Sequence, residues 1–156
     1  NEETVRPMGL PAAGVLGIKL DSETDGVIGM DVVGEEVFVW SITDNGLAKA
    51  TPVEDYPLQN RYGQGVINMR LPRGASEVAA MALLDKRSSL IVTTSNGVIK
   101  KIGLSDTTIG SRSARPQSAL SLASKSRVTG AVLPQENNVP AKSGPTPGKS
   151  KTRRKN

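Results

Sequence analysis

Short apolar runs broken by compact polar turns dominate this chain. Gly14 to Leu20 reads as a strand with Val15, Ile18 and Leu20 on its inward side. The polar stretch Asp21 to Gly26 turns the chain, and Val27 to Met30, continued by Val32-Val33, begins a second strand. After Gly34-Glu35-Glu36 comes the strongest strand signal, Val37 to Thr43, rich in β-branched and aromatic residues. Asp44-Asn45-Gly46 then supplies the Asn-Gly pair of a tight hairpin, and Leu47 to Thr51 returns antiparallel. The same order follows again: Gly65 to Leu71, Val78 to Leu84, Ser89 to Thr94, an Asn96-Gly97 turn, and Val98 to Ile102. No segment sustains a helical period, although Val78 to Leu84, read here as a strand, could alone pass for a short helix. The pattern predicts four antiparallel strands per unit and very little helix.

The recurrence has one spacing, 51 residues, without a gap. Gly14-Val15 returns as Gly65-Val66, and Ile18-Lys19-Leu20 as Met69-Arg70-Leu71. Val27 and Met30 return as Val78 and Met81; Thr43, Asn45-Gly46 and Lys49 return as Thr94, Asn96-Gly97 and Lys100. Leu120-Ser121-Leu122 shows a third unit in the same register. A period of roughly 40–50 residues is one supersecondary unit per repeat, most often a propeller blade, and roughly three or more must stack to bury a core. Residues 1–134 hold two full units and part of a third, and the chain opens on Asn1, so a piece of a larger assembly is expected. From Gln135 to Asn156, Pro, Gly, Ser, Lys and Asn replace the apolar residues, which predicts a disordered tail.

Composition narrows the chemistry. The chain has no Cys and no His, which excludes disulfides, zinc-thiolate sites and Ser-His-Asp or Cys-His hydrolases, and suits a reducing compartment. No run of about 18 apolar residues is present and no stretch resembles a signal peptide, so no membrane partner is expected. The net charge of +5 is unevenly placed. The tail, with Lys142, Lys149, Lys151, Arg153, Arg154 and Lys155 against Glu136, accounts for all of it. Residues 1–98 are acidic on balance and residues 99–134 basic, with Asp106 the one acid in the latter. Such a basic side suits a polyanionic partner, and equally an ordinary solvated surface.

Several stretches carry a specific resemblance: Gly14-Val15-Leu16-Gly17-Ile18-Lys19-Leu20, Val27-Ile28-Gly29-Met30-Asp31-Val32-Val33, Ile42-Thr43-Asp44-Asn45-Gly46, Thr51-Pro52-Val53-Glu54-Asp55-Tyr56, and above all Gln59-Asn60-Arg61-Tyr62-Gly63-Gln64-Gly65-Val66-Ile67-Asn68. Over about residues 8–133 the chain resembles the C-terminal domain of the type IIA topoisomerase A subunit, as in DNA gyrase and topoisomerase IV. The resemblance implies an all-β pinwheel, a propeller-like ring whose four-stranded antiparallel blades exchange strands, here incomplete. It also implies that duplex DNA is bent around a basic rim, and that the segment is non-catalytic within an ATP-dependent cytoplasmic enzyme. The implied partners are double-stranded DNA, the ATPase B subunit, and the rest of the A subunit. No cofactor is implied in this segment, since ATP and Mg²⁺ act elsewhere in such an enzyme. The family's DNA-cleaving tyrosine lies in another domain, so neither Tyr56 nor Tyr62 is expected to carry it. The alternative is a propeller module that binds protein; its usual Trp-Asp or Gly-Gly signatures are absent.

The family also carries a box, Gln-Arg-Arg-Gly-Gly-Lys-Gly, needed for wrapping. Gln59, Arg61, Gly63 and Gly65 match it, while Asn60, Tyr62 and Gln64 depart. In the third unit Ala114 and Pro116 replace the two matching glycines, so that loop is expected to be distorted. Arg61 and Arg112 are equivalent, as are Lys49 and Lys100; a cation recurring around a ring suits a polymer of phosphates. With the resemblance, the expected DNA contacts are Lys49, Arg61, Arg70, Lys100, Lys101, Arg112 and Arg115. Met30, Met81 and Trp40 are expected in the core, and the Asn-Gly pairs as turn formers. Gly63-Gln64-Gly65 lacks the following helix that a phosphate cradle needs.

Overall fold

The computed structural model describes residues 2–72 and 77–134. The tail expected to be disordered lies outside them. Seven strands form two antiparallel sheets: β1 (Phe38–Thr43), β2 (Leu47–Pro52), β3 (Val78–Leu84), β4 (Ser89–Thr94), β5 (Ile99–Gly103), β6 (Gln117–Ser118) and β7 (Val128–Val132). One sheet has the order β3-β1-β2-β6 and the other β5-β4-β7. The helical residues among those described are three single 3₁₀ turns, Glu2–Thr4, Val53–Asp55 and Leu104–Asp106. Val78–Leu84 is a strand, which decides its ambiguous pattern.

Both hairpins close at their Asn-Gly pairs, with positive φ at the glycine of each pair and not at the asparagine. Gly46 and Gly97 hold φ of +86° and +80°, a region open to glycine at low cost. The single Thr43 hydroxyl proton lies within reach of Asn45 Oδ1 and the Leu47 carbonyl; Thr94 repeats this with Asn96 and Val98. The recurring Thr is therefore a brace across the hairpin.

Each sheet mixes units. β3 belongs to the second unit yet pairs with β1 of the first, Phe38 facing Leu84 and Ile42 facing Ala80. β7 of the third unit pairs in the same way with β4 of the second, with a register shift at the equivalent place, between Thr93 and Thr94 as between Ile42 and Thr43. β6 of the third unit completes the first sheet by pairing Ser118 with Leu47 on β2. The first hairpin is thus covered on one edge by the next unit and on the other by the unit after that.

This rule explains three departures from expectation. Gly14 to Leu20, Val27 to Val33 and Gly65 to Leu71 are not strands. Val27 to Val33 would need a hairpin one unit earlier and the other two segments, like β6, a hairpin two units earlier, and among the described residues no hairpin precedes Val27. Ile18 makes one isolated parallel bridge to Gly63. Met30, expected in the core, is 94% exposed for the same reason, whereas Met81 on β3 is half-buried and packs against Gly29.

The core lies between the sheets. Trp40 and Ile42 project from central strand β1, each flanked by alanines on both neighbours: Ala50 and Ala82 beside Trp40, Ala48 and Ala80 beside Ile42. The small neighbours leave room for the large central side chains. Leu90, Val92, Ile102 and Leu104 come from the second sheet and the turn after it, and Leu84, Leu120 and Val128 complete the cluster. Burying each large aliphatic or aromatic side chain there contributes about 1.5–3 kcal/mol. Trp40 Nε1 donates to Thr107 Oγ1 at 3.0 Å, so the indole is satisfied while buried.

Candidate nucleic-acid interface

The first sheet has a second, polar face. Ser41, Lys49 and Thr51 line it, all almost fully buried, and Asn68 and the loop at 110–116 cover it. Lys49 faces Ser41 across the β1–β2 ladder. Its ammonium shares its three N–H groups among four acceptors, Thr51 Oγ1 (2.8 Å) and the carbonyls of Asn68, Ser111 (2.7 Å) and Arg112 (2.8 Å). Burial pushes the Lys49 ammonium below its ordinary range, and nearby Asp55 partly restores it. Four acceptors provide the hydrogen bonds that a desolvated cation requires. This overturns the expectation of a phosphate contact at Lys49: the charge is enclosed, and it ties all three units together. Its counterpart Lys100 is exposed, with no such set of carbonyls over it among the described residues; it borders a cleft of about 180 Å³ with Leu120 and Ser121.

Arg112 is held on the same scaffold. Its guanidinium donates from Nε to the Asp55 carbonyl (2.8 Å) and from Nη1 to the Ile67 carbonyl (3.0 Å), and lies 5.9 Å above the Tyr56 ring. Tyr56 Oη donates to Asn68 Oδ1, and Asn68 Nδ2 donates to Ser41 Oγ (2.8 Å). Two of the five Arg112 N–H groups are given to carbonyls and fix the loop, leaving neighbouring Arg115 exposed beside buried Pro116.

The equivalent loop of the second unit is built differently. Arg61 is exposed and makes no side-chain hydrogen bond among the described residues. Around it, the Tyr62 amide donates to the Gly17 carbonyl (2.7 Å) and the Lys19 amide to the Gly63 carbonyl (2.9 Å). The last bond recurs one unit on, Arg70 N–H to the Ala114 carbonyl at 3.1 Å, so each loop hangs on the opening segment of the unit before it. Tyr62 and Gly65 hold φ of +60° and +75°. Ser113 and Pro116, their counterparts, do not hold positive φ, so the third-unit loop follows a different path. Gln59 is exposed and reaches only its neighbour's carbonyl, at 3.5 Å.

The structure thus separates the candidate cations. Arg61, Arg70, Lys100, Lys101 and Arg115 are exposed, Arg112 is half-buried and Lys49 is enclosed. Sequence reasoning missed Lys86 and Arg87, exposed on the turn from β3 to β4, where Lys101 joins them in lining a cleft of about 360 Å³. Recurrence is a poor guide there, since the first unit has Glu35 and Glu36 at the equivalent positions. Among the described residues no helix is long and apolar enough to cross a membrane.

Comparison with known proteins agrees with the sheets. The family described as "DNA gyrase C-terminal domain, beta-propeller" matches residues 1–34, 41–85 and 88–134. The DNA gyrase A subunit of Staphylococcus epidermidis (strain ATCC 12228 / FDA PCI 1200) is 36% identical over 119 residues, covering 74% of this chain and 13% of that protein. Its counterpart from Staphylococcus aureus (strain MRSA252) is 36% identical over 118 residues, covering 73% and 13%. The chain therefore spans about an eighth of the length of these relatives. Among solved structures, the C-terminal domain of DNA topoisomerase IV superposes with a TM-score of 0.77 at 19% identity, over 85% of this chain and 42% of that one. The DNA gyrase A C-terminal domain gives 0.75 at 17% identity, over 85% and 45%. With its unit-exchanging sheets and a family match across nearly all the described residues, this chain belongs to the DNA gyrase C-terminal domain family.

Proposed function

We propose that this chain is the DNA-holding and DNA-bending segment of a gyrase or topoisomerase IV A subunit, without catalytic residues of its own. Duplex DNA would lie along the exposed cations and be presented to the rest of the enzyme with a fixed curvature. The observation that carries this reading is the clamped loop at 110–116, in which Lys49 and Arg112 hold the backbone while Arg115 stays exposed. A rigid basic surface can impose a shape on a polyanion, whereas a flexible one only attracts it. Bending a duplex of 20–30 base pairs costs of order 1–6 kcal/mol, so several phosphate contacts must offset it. Arg61, Arg70, Lys100, Lys101 and Arg115 supply them in this proposal, and contacts to phosphate carry no sequence preference. The proposed partners are duplex DNA, the ATPase subunit, and the remainder of the A subunit, in the cytoplasm.

The test is the affinity of the chain for two unrelated duplexes across a salt series. Equal affinities are expected, with log K falling linearly with log salt at a slope of about −0.9 for each phosphate contacted. Tight binding to one sequence alone, or affinity independent of salt, would overturn the reading.

A further inference from the structure

The turn into β1 and the turn out of β3 carry opposite charge at one end of adjacent strands. Phe38 faces Leu84 in the β1–β3 ladder, so residues 34–37 and 85–88 lie side by side, about 5 Å apart by strand spacing. Glu35 and Glu36 are exposed on the first, Lys86 and Arg87 on the second, and the four border one cleft of about 470 Å³. Among the described residues no ion pair joins them. The two turns occupy equivalent places in successive units, so the charge inverts from one unit to the next.

The basic turn is built to be stiff. Asp85 Oδ1 accepts from the amides of Arg87 (2.8 Å) and Ser88 (2.7 Å) and from the Ser88 hydroxyl (2.9 Å). Those bonds hold the Asp85 carboxyl below its ordinary range and keep its charge turned on the backbone. Asp106 is likewise occupied, its Oδ2 accepting from the Gly103 amide at 2.8 Å. Lys86, Arg87 and Lys101 front the neighbouring clefts with the Ser89 and Ser105 hydroxyls between them, the Ser88 hydroxyl being spent on Asp85. Cations beside neutral donors form the surface that a phosphodiester backbone takes.

Resting on the DNA-binding reading above, we propose that Lys86 and Arg87 form a further phosphate contact and that Glu35 and Glu36 mark where the duplex leaves the surface. Carboxylates beside the backbone repel it, so a duplex gripped at the second unit lifts away at the first. The inverted pair gives the wrapped path a defined end. Without it, a row of like cations would let the duplex run on unchecked toward the first unit.

The experiment uses the full chain and a 40-base-pair duplex, comparing Lys86→Glu/Arg87→Glu, Lys86→Gln/Arg87→Gln, Glu35→Lys/Glu36→Lys and, as a control of equal charge change, Glu23→Lys/Asp25→Lys. All sites are exposed, and Trp40 fluorescence checks that each variant is folded. Losing two contacts at 0.1 M salt should weaken binding roughly 50-fold or more and reduce the salt slope by about 2. Glu35→Lys/Glu36→Lys should do the opposite, steepening the slope and lengthening the hydroxyl-radical footprint at one end, while the control does neither. If the unaltered chain binds duplex DNA but the Lys86/Arg87 variants bind as it does, or the control matches Glu35→Lys/Glu36→Lys, the proposal is overturned and the DNA-binding reading stands. If the unaltered chain binds no duplex at any salt, the reading itself fails and takes the proposal with it.

Discussion

Two glycines in equivalent turns, with nearly equal φ, should respond very differently to one added methyl group. At Gly97 a Cβ would meet nothing within 4 Å. Gly97→Ala therefore costs only the positive φ, about 1–2 kcal/mol. At Gly46 a Cβ would stand 2.5 Å from the Leu120 carbonyl oxygen, a backbone atom with no flexible end to swing aside. Relief requires the 118–121 segment to move, and that segment is held by the Ala119 and Leu120 amides, both donating to the Gly46 carbonyl at 3.1 Å. Two backbone bonds at about 0.5–1.5 kcal/mol each are put at risk. Partial exposure of Leu120 adds about 1 kcal/mol, as part of its side-chain burial is lost. The total for Gly46→Ala is about 3–6 kcal/mol against about 1–2 for Gly97→Ala, summing these contributions. Urea unfolding followed by Trp40, the chain's single tryptophan and fully buried in the first sheet, reads the difference directly. Equal midpoints for the two variants would refute the idea that the third unit is seated on the first hairpin turn.

Lys49→Met should destabilise the fold by about 1–3 kcal/mol, because it strands buried carbonyl acceptors, whereas Lys100→Met, at an exposed site, should shift the unfolding midpoint little. Arg112→Ala should lower both stability and DNA affinity, while Arg61→Ala lowers affinity alone, as unfolding and duplex titration run side by side would reveal. Burial raises the Tyr56 phenol above its usual pKa of 10.0, so the folded state keeps the proton longer. Its contribution is complete below pH 10 and is lost as pH rises through the higher folded value; Tyr56→Phe should flatten that alkaline decline in an unfolding series.

The hairpins were legible in the sequence because they are local: Thr43 with Asn45-Gly46, and Thr94 with Asn96-Gly97, contain their own turn, brace and return strand. The edge pairings were not. Apolar residues such as Ile28 and Val32 signal that a segment is suited to a sheet, but not which hairpin it joins, and here the partners come from other units. Lys49 misled for a different physical reason. A lysine in an alternating strand reads as solvent-facing, and its enclosure depends on carbonyls 19, 62 and 63 residues away. Lys86 and Arg87 escaped notice because recurrence singles out what the units share, and the charge of this turn is what they do not share.

Whether one rigid basic surface both holds the duplex and bends it is decided most directly by fluorescence transfer between dyes at the two ends of a bound duplex. The protein is the complete A subunit, with and without Arg61→Ala, Arg70→Ala, Lys101→Ala and Arg115→Ala combined. The unaltered subunit should bring the ends together, and the fourfold variant, compared at protein concentrations giving equal occupancy, should leave them further apart. End-to-end distances that match at equal occupancy would contradict a surface that sets the curvature.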